Sequence, residues 1–392
     1  MGAPTEPYQP YAEQHKEPKG LGDARPTALQ VVKDCDAVGK LKGKTILITG
    51  CSAGIGIETA KALYETGATL FLAARDMQKL DGVIEGIVTT AEHNKDGPKP
   101  QPIELHLDSL DAVRKGAEDF KQKSGGKLNI LINNAGVMAA PYGTTKDGIE
   151  TQIGVNHFAH FLLFELVKDL LISSAKESGT TSRVINLSSA GHRTSSLKFT
   201  DKASLDAWNK GEGYTKWESY GQSKTTNIYM ANALNRKFGD QNVLGLSVHP
   251  GGIMTELARH LTEEDYAIFG GREGLDELMK TMFKNPQQGT ATTVWAAVSP
   301  HFEGQNGGRY LADVGECGPM SAESQVADGG YAPHAYDEEK EEMLWELSCD
   351  VNTQSLSVSK ARPHLSAFHV VYRNNTIFGL SVRAGGQVRN DA

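Results

Sequence analysis

Residues 45–68, TILITGCSAGIGIETAKALYETGA, run from a short apolar stretch through a glycine-rich turn into a helical stretch. The five residues before Gly50 are β-branched or leucine, which suits a strand buried on both faces. Gly50 permits a tight turn, Gly54 lets backbone approach a diphosphate, and Gly56 allows close contact between strand and helix. A helix that starts here turns unpaired N–H groups and the positive end of its dipole toward any phosphate in the turn. The spacing is G-x-x-x-G-x-G rather than G-x-G-x-x-G. Context carries the reading: a strand, a glycine turn and a helix make a dinucleotide cradle.

The same alternation continues outward. TLFLAAR (69–75), PIELHLD (102–108), LNILINNAG (128–136), SRVINLSS (182–189), VLGLSVHPG (243–251) and GGRYL (307–311) read as further strands. Helical patterns separate them, among them the long apolar stretch 152–171 and a helix over 214–238. Continuous apolar strands between amphipathic helices predict an α/β fold. It is a doubly wound parallel sheet in three α/β/α layers, with its ligand outside the C-terminal strand ends. No internal repeat is found. The expected organisation is an N-terminal extension (1–40), one nucleotide-binding domain (41–350) and a tail (351–392).

With 39% hydrophobic and 22% charged residues, the 392-residue chain suits a soluble globular protein. A net charge of -8 argues against nucleic acid and anionic membranes as partners. Cys35, Cys51, Cys317 and Cys349 are scattered without metal-ligand spacing, so no metal site is expected and the thiols fit a reducing compartment. No apolar run is long enough to span a membrane. The polar, proline-bearing start lacks a signal-peptide pattern, which makes a cytoplasmic location the default.

In a strand–turn–helix cradle of this kind an acidic residue after the second strand would bind a ribose 2′-hydroxyl. Ala74 stands there, followed by Arg75, which suits a 2′-phosphate and favours NADP (NADPH) over NAD. Asp76 is expected to cap the next helix.

Tyr220 and Lys224 lie four positions apart in ESYGQSKTTN (218–227), one above the other on a helix face. By themselves they fit either an acid–base pair or an aromatic core residue beside a solvated lysine. TGCSAGIG, NNAG (133–136), Ser189, Tyr220-x-x-x-Lys224 and PGGIMT (250–255) occur together and in order. This set resembles the classical short-chain dehydrogenases/reductases with their Rossmann-like fold, over about residues 40–350. GVNHFAHFLL (154–163) and the 31 positions from Ser189 to Tyr220 resemble the retinol-dehydrogenase and WW-domain-oxidoreductase-like branch. No WW domain or membrane anchor is visible.

The resemblance implies roles for individual residues. Tyr220 is implied as general acid or base, with Lys224 as the cation that favours its phenolate and holds the nicotinamide ribose. Ser189 is implied to polarise the substrate oxygen, and Asn156 to hold a water that links the lysine to solvent. Gly50, Ser52, Gly54, Ile55, Gly56, Arg75, Asn133, Ala135 and Gly136 are implied cofactor contacts. So are Pro250, Gly251, Ile253 and Thr255, with Thr255 at the carboxamide. Asp108 fits an adenine contact or a helix N-cap, and Asn133 fits a brace between central strands as well. Ser188 is expected to face away from the site, and His157, His192 and His249 to serve in packing.

The insertion 190–219 is expected to form a flap, with Trp208, Tyr214 and Trp217 either touching substrate or packing. Residues 255–284 are implied as a substrate lid, where Tyr266, Phe269, Met279 and Met282 line a lipophilic pocket or a plain core. The arm at 1–25 should pack on the body or on a partner. Residues 337–350 read as an acidic helix, and AFHVVY (367–372) as an aggregation-prone run if exposed. The function that follows is an NADP-dependent oxidoreductase (a ketoreductase or alcohol dehydrogenase) acting on a lipophilic or aromatic small molecule. Alternatives are an NADP(H)-sensing interaction protein and an epimerase or dehydratase on the same fold. Homo-oligomerisation through the two long helices is implied for the family.

Overall fold

Strand β1 (Thr45–Thr49) is buried along its whole length and is flanked in parallel by β2 (Thr69–Ala74) and β4 (Ile130–Asn133). In the computed structural model, residues 7–267, 270–304, 306–321 and 329–361 are described. The sheet order is β3-β2-β1-β4-β5-β6-β7-β8, with β3 (Gln101–Glu104), β5 (Ser182–Leu187), β6 (Val243–Val248), β7 (Arg309–Ala312) and the short β8 (Gly315–Glu316). All pairings are parallel except β7 with β8. The chain runs from β1 outward to β3 and then returns across β1 to β4. The reversal opens a crevice at the carboxyl ends of β1 and β4, where ligands of such sheets bind.

The continuous apolar strands are explained by two cores, one on each face. Leu47, Phe71, Leu131 and Val184 point into one, beneath helices α4 (Leu110–Lys123), α5 (Ala159–Ser178), α6 (Lys216–Phe238) and α9 (Glu338–Ala361). Ile46, Ile48, Leu72 and Ile132 point into the other, beneath α1 (Ala28–Asp34), α2 (Ile55–Tyr64), α3 (Met77–Thr90) and α8 (Ala291–Val298). The remaining long lid helix, α7, spans Gly271–Thr281.

Three elements differ from their predicted extents. Strand β3 stops at Glu104, because the chain must turn for Ser109 to accept the Ala112 N–H and cap α4. The long helix predicted from 152 starts as a single turn (Thr151–Ile153), widens into a π turn (Gly154–Phe158) and only then becomes α5. The acidic helix predicted to end at 350 continues to Ala361, while AFHVVY lies outside the described residues.

Every residue of α6 from Ser219 to Asn235 is buried, which requires cover on all sides. Helix α9 supplies part of it. Trp345 packs edge-on against Phe161 (centroids 4.8 Å) and meets Phe164 and Phe238 at 6.0 Å, with the Lys237 ammonium over its ring at 5.3 Å. Ser348 meets His157 at 2.9 Å, and the Asn232 amide donates to Glu341 at 2.7 Å. The chain's own C-terminal helix thus packs on both long helices. No helix among the described residues is long and apolar enough to cross a membrane.

Trp345→Ala removes the ring that fills this junction and should destabilise the protein by about 3 kcal/mol, measured by chemical denaturation. A loss under about 0.5 kcal/mol would show that α9 is not an integral cover.

Candidate active site

The glycine turn leaves β1 with φ +76° at Gly50 and +62° at Gly54, the second being the N-cap of α2. Both values lie in the region that favours glycine. A Cβ on Gly56 would sit 2.3 Å from the Gly50 carbonyl oxygen, so strand and helix touch there through backbone alone. Ser52 is half-buried within the turn, and Ile55 opens α2.

The end of β4 is stitched to this turn. The Thr49 hydroxyl accepts the N–H groups of Asn134 and Ala135, both at 3.0 Å. The Asn134 amide donates back to the Thr49 and Gly50 carbonyls at 2.8 and 3.3 Å. Asn133 instead braces the central strands, donating to Asn186 Oδ1 at 2.8 Å. A Cβ on Gly136 would lie 3.1 Å from Asn156 Oδ1 and 3.6 Å from Lys224 Nζ, so the chain passes close above both.

Asn156 sits in the π turn, fully buried. Its side chain accepts from Val137 N at 2.8 Å and donates to Val137 O and Ser223 Oγ, each at 2.9 Å. Its own carbonyl accepts from His160 Nδ1 at 3.1 Å, which assigns His160 Nε2 as the acceptor facing the Thr49 hydroxyl at 2.9 Å. Burial pushes His160 down to about 4, so this neutral form holds at pH 7. The two Asn156 amide donors are thus both used within the protein.

Tyr220 and Lys224 lie on α6 facing the carboxyl end of β5, each 5% exposed. The Lys224 ammonium donates to the Leu187 carbonyl at 2.9 Å and lies 5.6 Å from the centre of the Tyr220 ring. Burial pushes Tyr220 up to about 12 against the pull of its hydrogen bond with Ser189, and it pushes Lys224 down to about 8. The lysine was expected to draw the phenol below its usual value. Burial of the phenol instead raises it.

Ser189 follows β5 with its Oγ accepting Gly191 N at 3.0 Å, whereas the Ser188 hydroxyl turns to the Lys224 carbonyl at 2.8 Å. A Cβ on Gly191 would meet the Tyr220 ring at 2.8 Å, so this loop rests directly on the phenol. The loop is held by two histidines, one buried and one half-buried: His192 Nδ1 lies 2.6 Å from the Ser189 carbonyl, and His249 Nδ1 accepts Ala190 N at 3.2 Å.

At the other end of the crevice, Arg75, Asp76, Met77, Glu104, His106 and Asp108 line an open cavity. Asp76 caps α3 by accepting the Lys79 N–H at 3.0 Å, and the exposed Arg75 has no ion-pair partner among the described residues. Asp108 is not the cap of α4, which is Ser109. One Asp108 oxygen reaches Lys146 Nζ at 3.3 Å, and the other is buried with no partner. On the opposite wall, Thr255 caps a short 3-10 turn and lies 3.6 Å from where a Gly54 Cβ would be. Pro250 and Gly251 are half-buried beside it, and Ile253 packs against Gly289.

The insertion 190–219 is anchored by packing. Tyr214 donates to the Ala140 carbonyl at 2.8 Å, Trp208 packs on the core, and only Trp217 approaches Tyr220, edge-on at 6.3 Å. In the lid, Tyr266 lies under Arg272 (5.1 Å), and Phe269 is outside the described residues. No group of three His, Cys, Asp or Glu side chains that could hold a metal occurs among the described residues. Two close glycine approaches, a helix N-terminus and an orphaned Asp108 oxygen fit a long ligand that carries phosphates in its middle and a hydrogen-bond donor at one end.

A family model described as short chain dehydrogenase matches residues 44–200. Short-chain dehydrogenase/reductase prx1 of Penicillium roqueforti is 41% identical over 338 residues, covering 86% of this chain and 93% of that protein. The chain belongs to the short-chain dehydrogenase/reductase family. Human retinol dehydrogenase 11 is 33% identical over 81% of this chain and 88% of its own, which agrees with the resemblance to the retinol-dehydrogenase branch. A solved structure of an uncharacterised Mycobacterium paratuberculosis protein has a TM-score of 0.58 at 26% identity, covering 81% and 97% of the two chains. As a member of this family the dehydrogenase/reductase is an oxidoreductase that uses a nicotinamide cofactor on a small-molecule substrate.

Thr49, Asn134, His160 and Ser223 were missed as site residues. Each lies inside or beside a quoted motif, but its role depends on contacts across the fold that spacing does not encode.

Gly56→Ala forces a methyl into the Gly50 carbonyl. It should cost about 1–3 kcal/mol of stability and abolish measurable binding of nicotinamide nucleotides in a fluorescence titration. Unimpaired binding by a folded variant would disprove the close approach.

Proposed function

We propose that the protein is an NADP-dependent oxidoreductase that interconverts a carbonyl and an alcohol on a lipophilic or aromatic small molecule, with Tyr220 as general acid/base. The observation that carries this reading is the buried Tyr220 side chain beside Ser189, both against Gly191, with the Lys224 ammonium on the same helix face. When bound, the nicotinamide cofactor supplies or takes the hydride.

Each residue then has a defined task. With the phenol pushed up to about 12, Tyr220 is fully protonated at neutral pH and ready to donate to a carbonyl oxygen. Ser189 Oγ donates to the same oxygen and polarises it. The Lys224 charge opposes the cost of leaving a phenolate in a buried site, and alcohol oxidation runs the same proton path in reverse. Asn156 acts indirectly, fixing the Val137 backbone and Ser223 on either side of the lysine.

The preference for NADP rests on Arg75, an exposed and unpaired guanidinium in the cavity where the adenosine ribose would lie. Arg75 is suited to a bidentate grip on a 2′-phosphate, although Asp76 and Glu104 share the cavity and oppose it. Trp217 beside Tyr220 supports a lipophilic substrate, as does the likeness to human retinol dehydrogenase 11.

Absorbance at 340 nm with a panel of lipophilic and aromatic ketones tests the proposal. NADPH should be consumed, and Tyr220→Phe should lower the rate by about 10²–10⁴-fold; an unchanged rate refutes the role of the phenol. The lysine loses its charge as pH rises through about 8 while the tyrosine keeps its proton. Reduction should therefore be nearly flat from pH 6 to 7 and fall as pH rises through about 8, and a rate that climbs through pH 9 would contradict this assignment. Arg75→Glu should weaken NADPH by about tenfold or more while leaving NADH nearly unaffected. Equal effects on both would remove the case for NADP.

A further inference from the structure

Arg25 belongs to the N-terminal arm, which the reaction proposed above leaves without a task, yet it is one of the most deeply buried charges in the protein, at 5% exposure. A guanidinium is costly to bury unless its donors are met. Here Nε donates to Asp23 Oδ1 at 2.8 Å, and Nη2 to the Gly20 carbonyl at 2.9 Å. Nη1 and Nη2 donate to the carbonyls of Met282 and Phe283, both at 2.7 Å. Those last acceptors are carbonyls left over just past α7, where a cation also meets the negative end of the helix dipole.

The arm is seated there by more than one contact. Gly20 N donates to the Thr281 carbonyl at 3.0 Å, and a Cβ on Gly20 would fall 2.4 Å from the Lys280 carbonyl oxygen. Gln288 holds the next turn of the arm, accepting Gly22 N at 2.9 Å and donating to Asp23 Oδ1 and the Arg25 carbonyl, both at 3.0 Å.

The segment that Arg25 grips is also the wall of the turn at 250–255. Lys284 N donates to the Gly252 carbonyl at 2.8 Å, and the Phe283 ring lies 2.9 Å from where a Gly252 Cβ would be. The Lys284 side chain passes 3.0 Å from where a Gly251 Cβ would be and ends in an ion pair with Asp313 at 2.6 Å. The turn in its course brings Thr255 over Gly54.

We infer that the N-terminal arm is part of the cofactor site. Arg25 is a positioning residue that fixes residues 281–284 and, through them, the turn 250–255 that borders the nicotinamide half of the dinucleotide. This rests on the dinucleotide reading above. Because a single side chain bonds the arm and both lid carbonyls, the arm, the end of α7 and the turn keep one arrangement or lose it together.

Isothermal titration calorimetry on the full chain separates this from a general stabilising role. The probes are NADPH and 2′-phospho-ADP-ribose, and NADH and ADP-ribose; the second of each pair lacks the nicotinamide ring. Arg25→Met should weaken the intact dinucleotides by about tenfold, the size expected for lost bonds to a buried charge, and leave the ring-less fragments unchanged. Arg25→Lys, which keeps the charge but not the fork, should fall between. Equal weakening of whole and fragment, or no weakening of either, overturns the inference. Failure of the wild type to bind any of the four overturns the dinucleotide reading instead. If Arg25→Met does not fold, Gly20→Ala, which lifts the arm off Lys280, is read against the same four probes by the same criteria.

Discussion

One hydroxyl holds three parts of the site together. Thr49 Oγ1, wholly buried at the end of β1, accepts two backbone N–H groups from the β4 turn and meets His160 Nε2. A buried acceptor of this kind is costly to leave unmade and has only one set of partners that satisfies it. The glycine turn, the NNAG turn and the π turn with Asn156 are thereby fixed relative to one another before any ligand arrives. The glycines contribute space, and the threonine contributes register.

Electrostatics follows from the same closure. Lys224 and Tyr220 face each other in a region where both have lost most of their water, so the phenol is held protonated and the ammonium is easier to discharge. Interactions between such groups are stronger at low dielectric than they would be in water. The π turn adds a local device: by widening the helix at Asn156 it leaves the carbonyl of that residue to His160.

Much of the fold was legible because a parallel sheet buried on both faces needs strands that are apolar throughout, and β1, β2, β4, β5 and β6 read that way. The edge strand β3 and the far end of α9 were less legible. Neither limit is set by local pattern: Ser109 ends the run after β3, and α9 is shaped by the aromatic surface it covers. Within the site, Ser189, Tyr220 and Lys224 could be picked out because each stands at a strand end or on a helix face with recognisable spacing. Asn156 was picked out too, and its bonds to Val137 and Ser223 became visible only in the fold.

What the sequence determined by itself is whatever depends on periodicity and on residues with few backbone options: the strand–helix alternation, the glycine cradle, and the Tyr–Lys pair on one helical face. What only the tertiary structure decided is which distant groups meet. Thr49 reaches Asn134 across 85 positions, Trp345 closes over Phe161, and Arg25 meets the carbonyls of 282 and 283 from more than 250 residues away. Such contacts leave no trace in local spacing, because the entropy of bringing remote segments together is met by the whole core rather than by the residues that finally touch.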